Sequence, residues 1–286
     1  MCVPYKTIAS KQLKGIIRLG IFRSNHNKPI TGYKKDGPRK RGSSRFFEIL
    51  VRDFWDLIKL NLMFCICVLP SISLFLLGLF GIYPIAITLT LSIVFAFPLG
   101  GVLTAYVFRI TMMLRDEPSG GVWYECKRKF IENFKQAAPA GMVCTAIIYA
   151  QIMLWGLLLQ DESGYALIWV FVTVLTMLLF FMITPYMFMQ FAYVSLNTLQ
   201  IIKNSILMAF ASFLRSLMGA LLGCLMWVLL ALYFPLSMRV VPVVFLIGIS
   251  LSILLCLMWV WPQFDKAFKI EETLLERKKE KGIVDY

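Results

Sequence analysis

The chain has 286 residues, 59% of them hydrophobic and only 16% charged, with a formal net charge of +13. A soluble domain is about 45–50% apolar and about 25% charged, and so few charges cannot cover so much apolar surface. Soluble enzymes, nucleic-acid modules and disordered chains are thereby excluded, which leaves an all-α polytopic membrane protein.

Residues 1–42 are basic and interrupted by Gly and Pro, and read as a cytoplasmic arm. Its apolar cluster Ile16, Ile17, Leu19, Ile21 and Phe22 is broken by Arg18, and is too short and too charged for a signal-peptide core. Fourteen Lys and Arg precede Leu60. They fit a positive-inside anchor that touches anionic lipid. The aromatics that an RNA platform needs are not interleaved with them. Residues 43–59 predict an amphipathic interfacial helix. Phe46, Phe47, Leu50, Phe54, Leu57 and Ile58 share one side, and Arg45, Glu48, Arg52, Asp56 and Lys59 the other. Glu48–Arg52 and Arg52–Asp56 are opposite charges at i,i+4 spacing.

No charged residue occurs from Leu60 to Phe108. That run is too long for one span. Gly81-Ile82-Tyr83-Pro84 divides it into spans at 60–82 and 84–108, kinked at Pro70 and Pro98. The charged stretch from Arg109 to Lys135, with Trp123, Tyr124 and Lys127-Arg128-Lys129, predicts a second interfacial helix. Span three covers 137–160, an acidic turn follows at Asp161-Glu162-Ser163-Gly164, and span four covers 165–192. Residues 195–215, with Asn197, Gln200, Lys203, Asn204 and Arg215, predict a third interfacial helix. Spans five and six cover 217–236 and 243–262, joined by a loop with Arg239 and Pro242. The membrane domain is therefore 43–262, and 263–286 is a charged cytoplasmic tail with Phe264, Phe268 and Leu275 on one side.

Six spans place both termini on one side. Of the 29 Lys and Arg, Arg239 alone then falls in an outer loop. The positive-inside rule puts both termini in the cytoplasm of a cell-membrane protein. Lys59-Leu60-Asn61, Asn133-Phe134-Lys135 and Lys203-Asn204 recur at spacings of 72 and 71 residues between asparagines. The recurrence suggests three helical-hairpin units, each an interfacial helix followed by two spans.

Groups able to do chemistry are scarce. The spans hold no Asp, Glu, Lys or His, which argues against a proton-coupled pump. Gln151, Gln160, Thr184 and Gln190 are polar, and such residues mostly join neighbouring helices. Gly219-x-x-x-Gly223 and Gly101-x-x-x-Ala105 fit close helix packing, and Pro185 reads as a structural kink. Cys2, Cys65, Cys67, Cys126, Cys144, Cys224 and Cys256 form no CxxC pair and read as small apolar residues. The single histidine, His26, sits in a basic loop, so no metal site is expected. Gln136-Ala137-Ala138-Pro139-Ala140-Gly141 departs from the coupling loop of ABC importer permeases, with Gln136 in place of the acid and the glycine one position early. Catalytic, cofactor-binding and metal-binding residues are accordingly expected to be none.

Several blocks together resemble the YesL-like integral membrane proteins of Gram-positive bacteria. They are Lys35-Asp36-Gly37-Pro38-Arg39-Lys40-Arg41-Gly42, Phe46-Phe47-Glu48 and Phe54-Trp55-Asp56-Leu57-Ile58-Lys59-Leu60-Asn61-Leu62, ending in Leu69-Pro70. Ala105-Tyr106-Val107 with Arg109, Arg115-Asp116-Glu117 and Glu132-Asn133-Phe134-Lys135-Gln136 belong to the same resemblance. So do Ile202-Lys203-Asn204-Ser205-Ile206-Leu207 and Leu214-Arg215-Ser216-Leu217. The similarity runs from about Gly37 to Pro262. Residues 1–19 extend beyond the family's usual start, and Pro98-Leu99-Gly100-Gly101 stands where many members have Gly-Pro-Ala. Members are often encoded beside carbohydrate ABC transporters, which implies an accessory role, and the family supplies no catalytic residues.

These readings converge on a non-enzymatic accessory or scaffold protein, associated with carbohydrate uptake or membrane-protein assembly. The alternative is a small transporter or channel with a polar route between spans. Expected partners are the bilayer, anionic lipids at the cytoplasmic face and a protein docked on that face. There Arg45, Arg52, Lys127–Lys129 and Lys203 would point outward, among Glu48, Asp56, Glu125 and Glu132.

Overall fold

The apolar runs become helices throughout. A computed structural model describes residues 42–117, 120–158, 166–232 and 244–280. Within them lie ten α-helices, one π-helical turn and no strand. In chain order they are α1 (Ser43–Arg52), α2 (Phe54–Leu79), α3 (Ile85–Phe95), α4 (Phe97–Leu114), α5 (Val122–Leu158), α6 (Ala166–Tyr193), α7 (Thr198–Ala211) and α8 (Phe213–Leu232). A π-turn at Val244–Gly248 then leads into α9 (Ile249–Phe268) and α10 (Ile270–Glu280). Residues 1–41 of the expected arm 1–42, with His26, the acidic turn at Asp161–Gly164 and the loop around Arg239 lie outside the described residues.

Among the described residues, five helices are long and apolar enough to cross a membrane: Phe54–Leu79, Phe97–Leu114, Val122–Leu158, Leu167–Tyr193 and Leu246–Phe268. The pair formed by α7 and α8, bent by 99°, makes a sixth if counted as one span. The chain is thus an all-α, multi-pass membrane protein. At about 1.5 Å per residue, the 26 residues of α2 reach well past a bilayer core of about 30 Å. The 11 residues of α3 cover only about half of it.

Helix boundaries differ from the sequence reading where charges are neutralised inside the protein. The expected interfacial helix 43–59 stops at Arg52, and Asp53 separates it from α2. The expected second span is two helices, α3 and α4, divided at Ala96 with Pro98 in the first turn of α4. Beyond Phe108, α4 continues through Arg109 to Leu114. The second interfacial helix is therefore not separate, and residues from Val122 onward form one continuous 37-residue helix with span three. The third interfacial helix exists as α7. In the tail, α9 runs on to Phe268, where left-handed Lys269 breaks it from α10.

The turn after α2 lies where the sequence placed it. Gly81 has φ +71°, and its N–H and that of Ile82 bond the carbonyls of Gly78 and Leu77 at 3.0 Å each. This is the left-handed helix stop that glycine forms without a steric penalty.

Helix α4 is the centre of the bundle, with 78% of its apolar window buried, against 11–39% for the other four candidate spans. It packs on α5 with backbone touching backbone. A Cβ on Gly100 would lie 1.8 Å from the Ala137 carbonyl oxygen, and one on Gly141 would lie 2.2 Å from the Gly100 nitrogen. The Gln136–Gly141 stretch is therefore a small-residue helix crossing. Gly219 and Gly223 serve α8 against α9 in the same way, close to Val260 and Cys256. Gly101 lies under the Phe130 ring. Cys126, Cys144 and Cys256 are buried within the core as small apolar residues.

The three proposed hairpin units are not equivalent in detail. Asn61 is fully buried and accepts a hydrogen bond from the Ser250 N–H at 3.1 Å. Asn133 donates only to Lys129 of its own helix, at 3.0 Å.

Gly141→Ala is expected to lower the thermal midpoint of the detergent-solubilised protein, at a cost of about 1–3 kcal/mol from overpacking. Gly156→Ala, whose Cβ would meet nothing within 4 Å, should leave it unchanged or raise it by up to about 1 kcal/mol. Equal responses at the two sites would refute the α4–α5 crossing.

Candidate functional site

The charged end of α4 carries the densest polar chemistry among the described residues. Arg109 lies in an otherwise apolar run, with its side chain only 3% exposed. A charge so placed has to be paired, since an isolated buried ion costs several kcal/mol. Asp56 from α2 accepts its Nη2 at 2.7 Å, and Glu125 from α5 accepts its Nη1 at 3.0 Å. The second oxygen of Glu125 accepts the Gly120 N–H at 2.7 Å, which fastens the loop before α5. Three helices thus meet on one guanidinium.

Six residues further on, Arg115 is also buried. It donates to the Tyr193 hydroxyl at 2.9 Å, pairs with Glu117 at 3.1 Å, and lies 5.3 Å and 5.4 Å from the Tyr193 and Trp261 ring centroids. Tyr193 shares a 2.5 Å hydrogen bond with Thr111, and Trp261 Nε1 donates to Glu271 at 3.4 Å. These contacts draw α6 and α9 onto the end of α4.

A third group closes the helix. Asp116 takes a left-handed φ of 58°, and the Glu117 N–H bonds the Met112 carbonyl at 3.0 Å. The last carbonyls of a helix have no partner within it. Arg52 donates to Met113 O at 2.9 Å, and Arg45 to Leu114 O at 3.1 Å. Both arginines also bond Asp116, Arg45 at 2.6 Å. Guanidinium groups at a helix C-terminus further offset its negative dipole end. Burial raises the Asp116 pKa, but the hydrogen bonds and charges of Arg45 and Arg52 outweigh it and hold the carboxyl below its ordinary value. Burial likewise opposes charge on Arg52, yet Asp53 and Asp116 leave its pKa raised.

Several expected roles are corrected here. Arg45 and Glu125 do not face outward; both are buried in ion pairs. Arg52 pairs with Asp53 and Asp116 in place of Glu48 or Asp56, and Glu48 pairs with Arg45 at 3.2 Å. The break at Asp53 turns α1 relative to α2, so a single-helix i,i+4 register does not apply across it. Lys127, Arg128 and Lys203 are exposed as expected.

A neutral network lies deeper. Tyr106 shares a 2.5 Å hydrogen bond with Ser250, which donates to Leu57 O at 2.6 Å. The Asn61 side-chain oxygen lies within hydrogen-bond reach of both. Gln190, fully buried, donates to Ser205 of α7 at 2.9 Å. Thr184 bonds back to Phe180 O, and Gln151 is buried in α5. The sequence reading missed Arg109 and Arg115 as interior residues. The available signal was their position, directly after the long uncharged run and within the same helical period. Each acidic group of the three clusters engages an arginine, and these pairs hold helices together.

Compared with protein-family models, with curated proteins and with solved structures, the chain matches none of them.

Arg109→Met should lower stability by about 3–5 kcal/mol, because Glu125 stays buried without its partner. Adding Glu125→Met should recover a large part of that loss. A double-mutant cycle on thermal or denaturant unfolding measures the coupling, and additive effects would contradict the pair. For Asp116 the depressed folded pKa means that the unfolded chain takes up the proton first. Its contribution is therefore complete above the ordinary carboxylate value of about 3.9 and disappears as pH falls through the lower folded value. The difference in thermal midpoint between wild type and Asp116→Asn should be constant from neutral pH to about 4 and shrink below it.

Proposed function

We propose that the protein is a non-enzymatic scaffold or accessory protein of the cell membrane, serving carbohydrate uptake or membrane-protein assembly. The observation that carries this reading is the place of α4. It is the most buried of the candidate spans, and its backbone touches that of α5 at Gly100 and Gly141. The buried charges at its end are engaged with one another. Such an interior holds helices in fixed relation and presents surfaces. The resemblance to YesL-like proteins, whose genes often lie beside carbohydrate transporters, agrees with an accessory role.

In this reading both termini are cytoplasmic, as the distribution of Lys and Arg requires. The charged end of α4 then faces the cytoplasm, against anionic lipid and a protein partner. With Arg45 and Glu125 used internally, the residues left for docking are Arg128 and Glu132 on α5 and Glu276 on α10, which are exposed.

Two measurements test this. A thiol placed by Lys127→Cys should react with an impermeant reagent only when the inner face is open, and one placed by Ser163→Cys should react from outside. Photo-crosslinkers at Arg128 and Glu276 should capture one recurrent protein in cells, and proteoliposomes should pass small sugars and ions no faster than empty vesicles. Solute flux that the purified protein supports would overturn the scaffold reading.

A further inference from the structure

Charges at the ion-paired end of the bundle fall into a set that joins helices and a set that is exposed. Arg45, Arg109 and Arg115 are buried and Arg52 stays partly exposed; the four pair with Asp116, Asp56, Glu125 and Glu117. The exposed bases include Lys127, Arg128 and Lys135 on α5 and Lys203 on α7. Arg128 lies 3.9 Å from Glu132, while Lys127, Lys135 and Lys203 have no acidic partner among the described residues.

The same segments expose apolar side chains. Trp123, Tyr124 and Ile131 do so on α5, and Leu199, Leu207 and Phe210 on α7. The opposite face of α7, formed by Ile201, Ser205 and Ala209, is buried, and Ser205 is bonded to Gln190 of α6. The exposed face is therefore what α7 offers beyond the bundle. A bend of 99° turns α7 away from the direction of α8; in the six-span reading, in which α8 crosses the bilayer, α7 lies near the membrane plane. Gln136 donates to the Leu196 carbonyl and brings the start of α7 beside α5 close to Lys135.

Lys203 stands at helical spacing between Leu199 and Leu207, within this apolar face. Water is a poor solvent for the leucines and Phe210, and hydrocarbon is a poor one for the ammonium. The headgroup–acyl boundary suits both, with the lysine stem lying along apolar surface and its charge at the phosphates.

We propose that α7 and the first turns of α5 form a binding surface for anionic phospholipid headgroups. Lys127, Lys135 and Lys203 meet the phosphates, and Leu207 and Phe210 enter the acyl layer beneath. The inference specifies the lipid partner of the reading above and rests on that reading for the side of the membrane.

The full-length protein is placed in nanodiscs of mixed phosphatidylcholine and phosphatidylglycerol, and the lipids it retains are counted by native mass spectrometry. Phosphatidylglycerol should be retained in preference. Each of Lys127→Gln, Lys135→Gln and Lys203→Gln should weaken that preference about fivefold, the effect of one basic residue at an anionic surface. These side chains are exposed, so an unchanged thermal midpoint accompanies the result. Benzoylphenylalanine in place of Phe210 should crosslink to acyl chains. Equal retention of the two lipids, an unaltered preference in the triple variant, or crosslinking of position 210 in cells to a protein would overturn the proposal. Those outcomes leave the topology and the α5–α10 crosslinks standing, so the two failures are distinguishable.

Discussion

A guanidinium sealed from water needs its counter-charges within hydrogen-bond reach, and the structure is arranged around meeting that need at Arg109. Asp56 and Glu125 come from helices on two sides of α4. Supplying them requires α2 to start its charged turn beside α4 and α5 to begin before the membrane-crossing part of its length. The long α5 and the short α1 both follow. If Arg109 were at the surface, α5 could begin near Ala137 and the loop before it would be free. A pair of this kind adds little net stability compared with apolar packing, but breaking it is costly. Its effect is to select one arrangement of three helices over others of similar apolar burial.

The second constraint is close approach. Helix association in lipid depends on packing and polar contacts, since the surrounding chains are as apolar as the side chains. Gly100 and Gly141 let α4 and α5 meet at backbone distance, and Gly219 and Gly223 do so for α8 and α9. Between these crossings, the Tyr106–Ser250–Asn61 group ties α4, α9 and α2 together with neutral hydrogen bonds. The polar groups in the interior thus join helices. The same distribution leaves lysines and aromatic rings on the outside of the charged end, where the membrane boundary would lie.

How much of this was legible beforehand depended on range. The Gly81 turn, the Gly219/Gly223 contact and the separate α7 follow from local signals: a left-handed stop, a small-residue spacing, and polar residues before an apolar run. The ion-paired site was not legible. Arg109 and Asp56 are 53 residues apart, and Arg45 and Asp116 are 71 apart. Charge periodicity within one helix pointed instead to Glu48–Arg52 and Arg52–Asp56; the bend at Asp53 separates the second pair, and in the first Glu48 pairs with Arg45 while Arg52 turns to Asp53 and Asp116.

By itself the sequence determined that this is a helical, multi-pass membrane protein, and it marked several of the turns. Those properties depend on composition and on periods of a few residues, which hydrophobic transfer and backbone sterics read directly. Only the tertiary structure decided that α4 is central and that charged residues such as Arg109 and Arg115 end up inside. Those outcomes depend on which counter-charges distant helices bring within about 3 Å of a guanidinium. That is a property of packing, and no local pattern in the chain encodes it.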